Sequence, residues 1–371
     1  MPYGKEELLQ PARIRELDGL RGVAITLVIA LHVAIRPFLH AWTELLGKPI
    51  ARLLDMSWCG VDIFFVLSGF LIGRIILDYS ASRNFYSAFY ARRAARILPL
   101  YVLIVTLAFL LQQHFNGSDD PGAVPLLAYV TFTANLFTSA GFSSTLILGP
   151  LWSICIEEQF YIVAPVAIRK CSKRVLPFAV VGVVVASAIL RISCSIGWIK
   201  LGFSYWDFTL TRLDGLGLGV LTALLVRQTF FVEWVKTNGR LLKLILISLI
   251  CISVWFSQQP EALLLGGGIF FLSLTSAVAI VVLIFHPRCL FGRIMRLPFL
   301  VSLGKYSYFL YVFHMVFEFA ARVGLEVANI TNVAPSLALK LFFVILLYFV
   351  AMASFRYIES PITQRGRKVQ Y

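Results

Sequence analysis

The stretch LLLGGGIFFLSLTSAVAIVVLIF at residues 263–285 contains no charged side chain. An apolar run of about 18 residues or more is long enough to cross the hydrocarbon core of a bilayer as a helix. A helix at the surface of a soluble protein would instead need a polar face. This stretch therefore predicts a membrane-spanning helix, and similar apolar runs recur from one end of the chain to the other.

The composition supports the same class of protein. Of 371 residues, 59% are hydrophobic and 14% are charged, and the mean hydropathy is +0.83. Soluble domains carry about 25% charged residues, so a cytosolic enzyme is excluded. The six cysteines are scattered, without paired or metal-type spacing. A disulfide-rich secreted protein is therefore excluded, and no metal site is predicted.

The apolar runs predict an all-α integral membrane protein, a bundle of about ten transmembrane helices. The segment 124–139 is apolar but short and contains Thr131, Thr133 and Asn135. It is predicted to be re-entrant or to lie at the membrane interface. The ten predicted spans are 21–38, 58–78, 97–113, 151–168, 176–197, 206–227, 241–257, 263–286, 301–321 and 336–357.

The basic residues predict the orientation of these spans. Ten spans place both termini on one side, and this side collects 25 of the 33 Lys and Arg residues. Because cytoplasmic loops are rich in Lys and Arg, both termini are predicted to be cytoplasmic, in the cytoplasmic (inner) membrane. The loop containing Asp119 and Asp120 is then outside. The net charge of +14 is explained by this asymmetry, so nucleic acid is not a predicted partner.

Several ionisable side chains lie within the predicted spans, which makes each a functional hypothesis. Counting residues from the outer span ends places all of them about 9–12 Å below the outer surface. The alternatives are structural, because an intramembrane histidine often hydrogen-bonds a neighbouring helix and Arg212 and Asp214 can hold the bundle together. The groups at this depth are His32, Glu157, Glu158, Arg212, Asp214 and His314.

A second pattern concerns arginine. Arg21 and His32 are separated by about three helical turns, so both are predicted on one helix face about 16 Å apart. A ligand with an anionic head and a long arm would fit that distance. Arg92, Arg93 and Arg96 would meet the same head, since guanidinium groups bind phosphate bidentately. The alternative for these three arginines is a topological anchor.

The order of short motifs resembles the acyltransferase 3 family of integral membrane acyltransferases, over nearly the whole chain. Each motif is short, but seven of them follow in family order. They are 15–22 (RELDGLRG) with Arg21 and His32 eleven residues apart, 60–70 (GVDIFFVLSGF), Arg93 and Arg96 with Pro99 and Tyr101, 152–161 (WSICIEEQFY), 212–214 (RLD) with Gly219, Ser307 and Tyr308 with His314, and 359–361 (ESP).

The resemblance implies transfer of an acyl group, most often acetyl, from cytoplasmic acyl-CoA to a hydroxyl of a carbohydrate or another cell-envelope acceptor. His32 would be the general base or a transient acyl carrier, and Glu157 or Glu158 would orient its imidazole. Arg212 or His314 would stabilise the oxyanion. CoA phosphates would be held by Arg21, Arg93 and Arg96.

Many family members carry a C-terminal hydrolase-like domain, and this chain stops 14 residues after the last predicted span. Residues 1–371 are therefore expected to form a single transmembrane domain in which transfer is completed. Two other functions remain open. A transporter or flippase would also need charges within the membrane, and a non-catalytic partner in polysaccharide assembly would use the same fold as a scaffold.

Overall fold

The computed structural model describes residues 14–116 and 122–371. Over these residues the chain is helical, with one isolated bridge between Ala123 and Ser143 and no strand. Asp119 and Asp120, which are predicted outside the membrane, lie beyond the described residues.

Eighteen α-helices follow one another, joined by short 3-10 and π-helical segments. They are α1 (Arg15–Ala30), α2 (Leu39–Leu46), α3 (Lys48–Asp55), α4 (Gly60–Tyr79), α5 (Phe85–Asn116), α6 (Leu126–Val130), α7 (Ala134–Ser139), α8 (Trp152–Lys170), α9 (Leu176–Ser195), α10 (Leu213–Leu225), α11 (Thr229–Thr237), α12 (Gly239–Ser257), α13 (Glu261–Leu263), α14 (Ile269–Phe285), α15 (Leu290–Met295), α16 (Pro298–Val327), α17 (Val333–Ser354) and α18 (Ser360–Arg367).

In the described part of the chain, nine helical segments are long and apolar enough to cross a membrane, and each contains most of one predicted span. The all-α polytopic membrane fold is thereby confirmed. The segment 124–139 forms the short helices α6 and α7, as expected of a stretch that does not cross. The nine segments are Arg15–Leu46, Lys48–Tyr79, Phe85–Leu111, Gly149–Lys170, Leu176–Ser195, Gly239–Ser257, Glu261–Phe285, Pro298–Val327 and Val333–Arg367.

The predicted sixth span, 206–227, is corrected by the structure. Its first residues form a loop and a 3-10 turn, and α10 begins only at Leu213. α10 has 13 residues and is followed by a 92° bend into α11. It runs parallel to α4, because Arg212 at its start contacts Asp62 near the start of α4 and Arg227 after its end contacts Asp78 near the end of α4.

Glycines set the distance between α1 and α16. A Cβ on Gly22 would lie 2.0 Å from the carbonyl oxygen of Leu300, and a Cβ on Gly304 would lie 1.7 Å from that of Asp18. The two backbones are therefore in direct contact, which larger residues would prevent. This close packing places the middle of α16 against the segment that follows α1.

The predicted inner segments meet at one end of the bundle. Arg296 pairs with Glu16, and Arg227 pairs with Asp78. Arg92 donates two hydrogen bonds to the carbonyl oxygen of Val369, at 3.1 and 2.9 Å. We call this the basic end. Which side of the membrane it faces stays a prediction.

Candidate functional site

A cavity of about 400 Å³ opens among α1, α4, α5, α8 and α16. The three arginines that the sequence predicts as phosphate ligands, Arg21, Arg93 and Arg96, all line it. Arg93 and Arg96 are one helical turn apart on α5 and so share a face, while Arg21 approaches from α1. Residues distant in sequence thus form one cationic wall.

The local contacts leave much of this positive charge available. Arg21 donates to Asp18 at 3.1 Å. The Arg93 guanidinium lies 5.5 Å from the ring centre of Tyr161. Arg96 is solvent-accessible within the cavity, and among the described side chains no carboxylate lies within ion-pairing distance of it. An anion entering the cavity would meet three arginines, of which Arg96 forms no ion pair with a described carboxylate.

Glu157 and Glu158 line the same cavity. Glu157 accepts a hydrogen bond from the Tyr161 hydroxyl at 3.0 Å, and Ser68 in turn hydrogen-bonds that hydroxyl. The glutamates therefore lie with the arginines. The contacts of the described residues include none between either glutamate and the His32 ring, so the expectation that one of them orients this ring stays a prediction.

His32 and His314 form a pair. Their ring centres are 4.9 Å apart, although the residues are 282 positions apart in sequence. Nδ1 of His32 donates to the carbonyl oxygen of Val28 at 2.9 Å, and Nδ1 of His314 donates to that of Tyr311 at 2.6 Å. A carbonyl oxygen only accepts, so each neutral ring carries its proton on Nδ1 and has its lone pair on Nε2. Nε2 of His314 is buried and has no hydrogen-bond partner among the described residues.

The histidine pair lies next to the cavity, at the part of its wall that Tyr311 forms. Tyr311 lines the cavity, and its ring centre is 5.8 Å from that of His314. Its hydroxyl is fixed by Ser153 at 2.6 Å and by the carbonyl oxygen of Pro150 at 2.9 Å. We call this arginine-lined cavity the cationic chamber. The two imidazoles lie behind Tyr311, outside its wall. Sequence reasoning did not single out Tyr311, although it stands three residues before His314 on the same helix face.

A buried ion cluster on the other side of His314 was also missed. Glu318 is fully buried one turn after His314 and pairs with Lys340 of α17, itself 4% exposed. Arg322 donates to the same glutamate at 2.9 Å. Lys340 lies within the predicted span 336–357 and packs inside the bundle. The i, i+4 spacing of His314 and Glu318 was the available signal.

Arg212 lies in a different environment from the one expected. It donates to Asp62 at 2.8 Å, and both side chains are almost completely buried. The rings of Phe65, Trp152 and Trp206 surround the guanidinium at 5.1–5.5 Å. Nε and Nη1 of Arg212 are buried without a hydrogen-bond partner among the described residues, and its described contacts include neither histidine.

Asp214 is paired separately. It accepts from Arg191 of α9 through both carboxylate oxygens, at 2.8 and 2.7 Å, and both residues are buried. The polar layer inferred from sequence thus separates into four parts. These are the arginine–glutamate cavity, the histidine pair and the two ion pairs, Arg212 with Asp62 and Arg191 with Asp214.

These features define a polytopic helical membrane protein with a cationic chamber leading to a histidine pair. The comparison with protein families agrees with this class: the family model described as an acyltransferase domain matches residues 14–355, so the chain belongs to this acyltransferase family. No solved structure matches the chain.

Two curated relatives are bacterial. The chain is 25% identical over 381 residues to the protein named O-acetyltransferase OatA of Staphylococcus aureus (strain NCTC 8325 / PS 47), covering 98% of this chain and 59% of the relative. It is 26% identical over 383 residues to the protein named peptidoglycan O-acetyltransferase OatA of Listeria monocytogenes serovar 1/2a, covering 95% and 56%. The chain therefore spans less than three fifths of the length of these relatives.

Proposed function

We propose that this protein is a membrane-embedded O-acyltransferase that moves an acyl group, most simply acetyl, from acyl-CoA to a carbohydrate hydroxyl of the cell envelope. The observation that carries the proposal is the position of the histidine pair, which lies behind Tyr311 at the wall of the arginine-lined cavity. One end fits an anionic donor and the other fits proton transfer. The named relatives support acetyl as the group and peptidoglycan as the class of acceptor.

In this proposal the donor enters from the basic end. We place this end in the cytoplasm and the protein in the inner membrane. Arg21, Arg93 and Arg96 bind the phosphates of CoA, since a guanidinium donates two parallel hydrogen bonds to phosphate oxygens. The pantetheine arm then extends along α1 towards Tyr311. Eleven residues of helix correspond to about 16 Å, which suits an extended arm.

The chemistry uses the free Nε2 atoms. Nε2 of His32 accepts the proton of the acceptor hydroxyl as its oxygen attacks the thioester carbonyl. The new C–O bond forms, the C–S bond breaks, and the thiolate takes up the proton, so the reaction balances without metal or redox partner. Nε2 of neutral His314 carries a lone pair, so this ring can exchange roles with His32 as the base, and it donates to the oxyanion only after Nε2 has taken up a proton. A variant in which His32 first carries the acyl group uses the same lone pair.

The other assigned residues take roles that follow from their contacts. Glu157 and Glu158 balance the arginine charge and fix the Tyr161 hydroxyl at the cavity wall. Arg212 holds the bundle around the site through Asp62 and is not assigned to the oxyanion. Because the cavity and both histidines lie within one bundle, we propose that transfer is completed there.

The test uses the full-length protein in proteoliposomes with [14C]acetyl-CoA outside or inside and a soluble peptidoglycan fragment on the opposite side. We expect labelled fragment with a mass increase of one acetyl group and release of free CoA. Absence of both label and CoA release would contradict the proposal. Movement of unmodified fragment across the membrane would favour a transporter, and activity only with an added second protein would favour a scaffold.

A further inference from the structure

An aromatic slot lies beside the mouth of the cavity. The ring of Tyr371 is stacked on that of Tyr79, with centres 4.3 Å apart and planes inclined by 12°. The guanidinium of Arg92 lies 4.2 Å from the centre of the same Tyr371 ring. One flat ring is thus flanked by a second aromatic ring and a planar cation, an arrangement that also binds the flat face of a nucleobase.

The slot is continuous with the cationic chamber. Tyr79 itself lines the cavity, and so do Arg93 and Arg367. Arg367 precedes Tyr371 by four residues and is at the end of α18. A molecule with several phosphates in the chamber would therefore place a covalently attached base near Tyr79. Stacking tolerates any base, whereas the surrounding arginines favour one that is joined to phosphate.

Tyr371 occupies the slot through ring contacts with Tyr79 and Phe85 and through Arg92. Residues 368–371 follow the end of α18, and Arg92 donates to the carbonyl oxygen of Val369 in an exposed position. These are surface hydrogen bonds that water can replace at small net cost. α18 itself is anchored more firmly, because Gly366 packs against Ala95, where an added Cβ would lie 2.7 Å from the alanine Cβ. A base that displaced Tyr371 would have to replace its ring contacts, while α18 stays anchored.

We infer that the space flanked by Tyr79 and Arg92 is the adenine-binding part of the donor site, and that Tyr371 occupies it when no donor is bound. The inference rests on the proposed function for the identity of the donor as a CoA thioester. It adds a stacking site for the purine and a competition between the donor and the ring of Tyr371.

The experiment compares two ligands that differ in the adenine nucleotide. Dissociation constants for CoA and for 4′-phosphopantetheine, which lacks adenosine, are measured by calorimetry on the purified full-length protein in detergent. Tyr79→Leu is expected to weaken CoA binding about tenfold, the scale of a lost base stack. Tyr371→Ala is expected to strengthen CoA binding severalfold. Neither substitution should change the affinity for 4′-phosphopantetheine.

A matched control is available in Tyr357, which is 71% exposed and lies 5.5 Å from Arg356 in a tyrosine–arginine contact that does not line the cavity. Tyr357→Leu should leave both affinities unchanged. The inference that adenine binds in the slot would be wrong if Tyr79→Leu had equal effects on both ligands. It would also be wrong if Tyr371→Ala weakened CoA binding. Suppose that Tyr79→Leu weakened the binding of CoA but not of 4′-phosphopantetheine in a protein that transfers no acetyl group. That result would support adenine binding in the slot and contradict the proposed reaction.

Discussion

At the scale of single residues, the histidine pair is poised for proton transfer by its backbone contacts. The carbonyl oxygens of Val28 and Tyr311 fix both protons on Nδ1. Both lone pairs are then on Nε2, and that of His314 is shielded from any hydrogen-bond donor in the described structure. An unpaired buried nitrogen is costly and is retained where a reaction uses it. This argument requires no carboxylate partner for either ring.

The first prediction concerns His32. His32→Ala should reduce acetyl transfer about 100- to 10,000-fold, the usual contribution of a general base. Binding of CoA should be unchanged, because the arginines that hold its phosphates remain. Transfer is measured by release of free thiol and binding by calorimetry. His40→Ala is the matched control, since its side chain is 87% exposed and pairs only with Glu44 among the described groups. Retention of more than a tenth of wild-type turnover would assign the base to another residue.

A second prediction separates donor binding from the chemical step. Arg96→Ala removes a charge-assisted contact of about 1.5–3 kcal/mol, so KM for acetyl-CoA should rise about ten- to a hundredfold. The kcat should change little, because a phosphate contact is made equally in the ground and transition states. Arg83→Ala, on an exposed residue outside the cavity, should alter neither constant. A collapsed kcat at constant KM would move Arg96 to the reacting centre.

At the scale of helices, the site depends on how α1 and α16 pack. The segment Leu31–Ile35, which includes His32, is π-helical and follows α1 without a break. Such one-turn π segments rotate the side chains that follow them and often occur at functional sites. His32 therefore reaches His314 through a change of helical phase and through the glycine contacts between the two helices.

The third prediction tests this packing. Gly304→Ala would force a Cβ to within 1.7 Å of the Asp18 carbonyl oxygen, so α1 and α16 must separate. Overpacking of this kind costs about 1–3 kcal/mol or more, and it would also part the histidines. We expect a lower melting temperature in detergent together with loss of transfer. In Gly182→Ala the added Cβ meets nothing within 4 Å, so that variant should keep both properties. Normal activity of Gly304→Ala would show that the close contact is dispensable.

The sequence predicted the helices better than their contacts. Apolar length alone located nine spans, because the bilayer requires that length of every crossing helix. Apolar length misplaced the start of α10. Residues 206–212 contain enough apolar side chains to resemble the end of a span, but they form a loop and a 3-10 turn. The motifs named both histidines and the three arginines. Pairings such as Arg212 with Asp62 were beyond reach, because side-chain contacts between helices depend on rotation about each helix axis, which hydropathy does not determine.

At the scale of the whole molecule, contacts among the basic segments place them at one end of the bundle. The ring of Tyr86, near the start of α5, lies 4.8 Å from Arg169 at the end of α8. Arg92 of α5 contacts Val369 after α18. Segments that charge counting assigned to one side of the membrane thus touch each other at the basic end. A sequence asymmetry and an independent set of contacts therefore select the same end of the bundle.

The fourth prediction is the side to which this end faces. Reporter fusions at Arg92, Lys170 and Lys368 should all report the cytoplasm, because basic loops are retained there during insertion. A fusion at Asp119 should report the outside. Since Arg92 and Val369 are in contact, opposite reports from Arg92 and Lys368 would contradict the structure itself. If all three fusions instead reported the outside, the orientation would be reversed and the arginine-lined mouth would face away from cytoplasmic acyl-CoA. The donor of the proposed reaction would then be wrong, although the fold would stand.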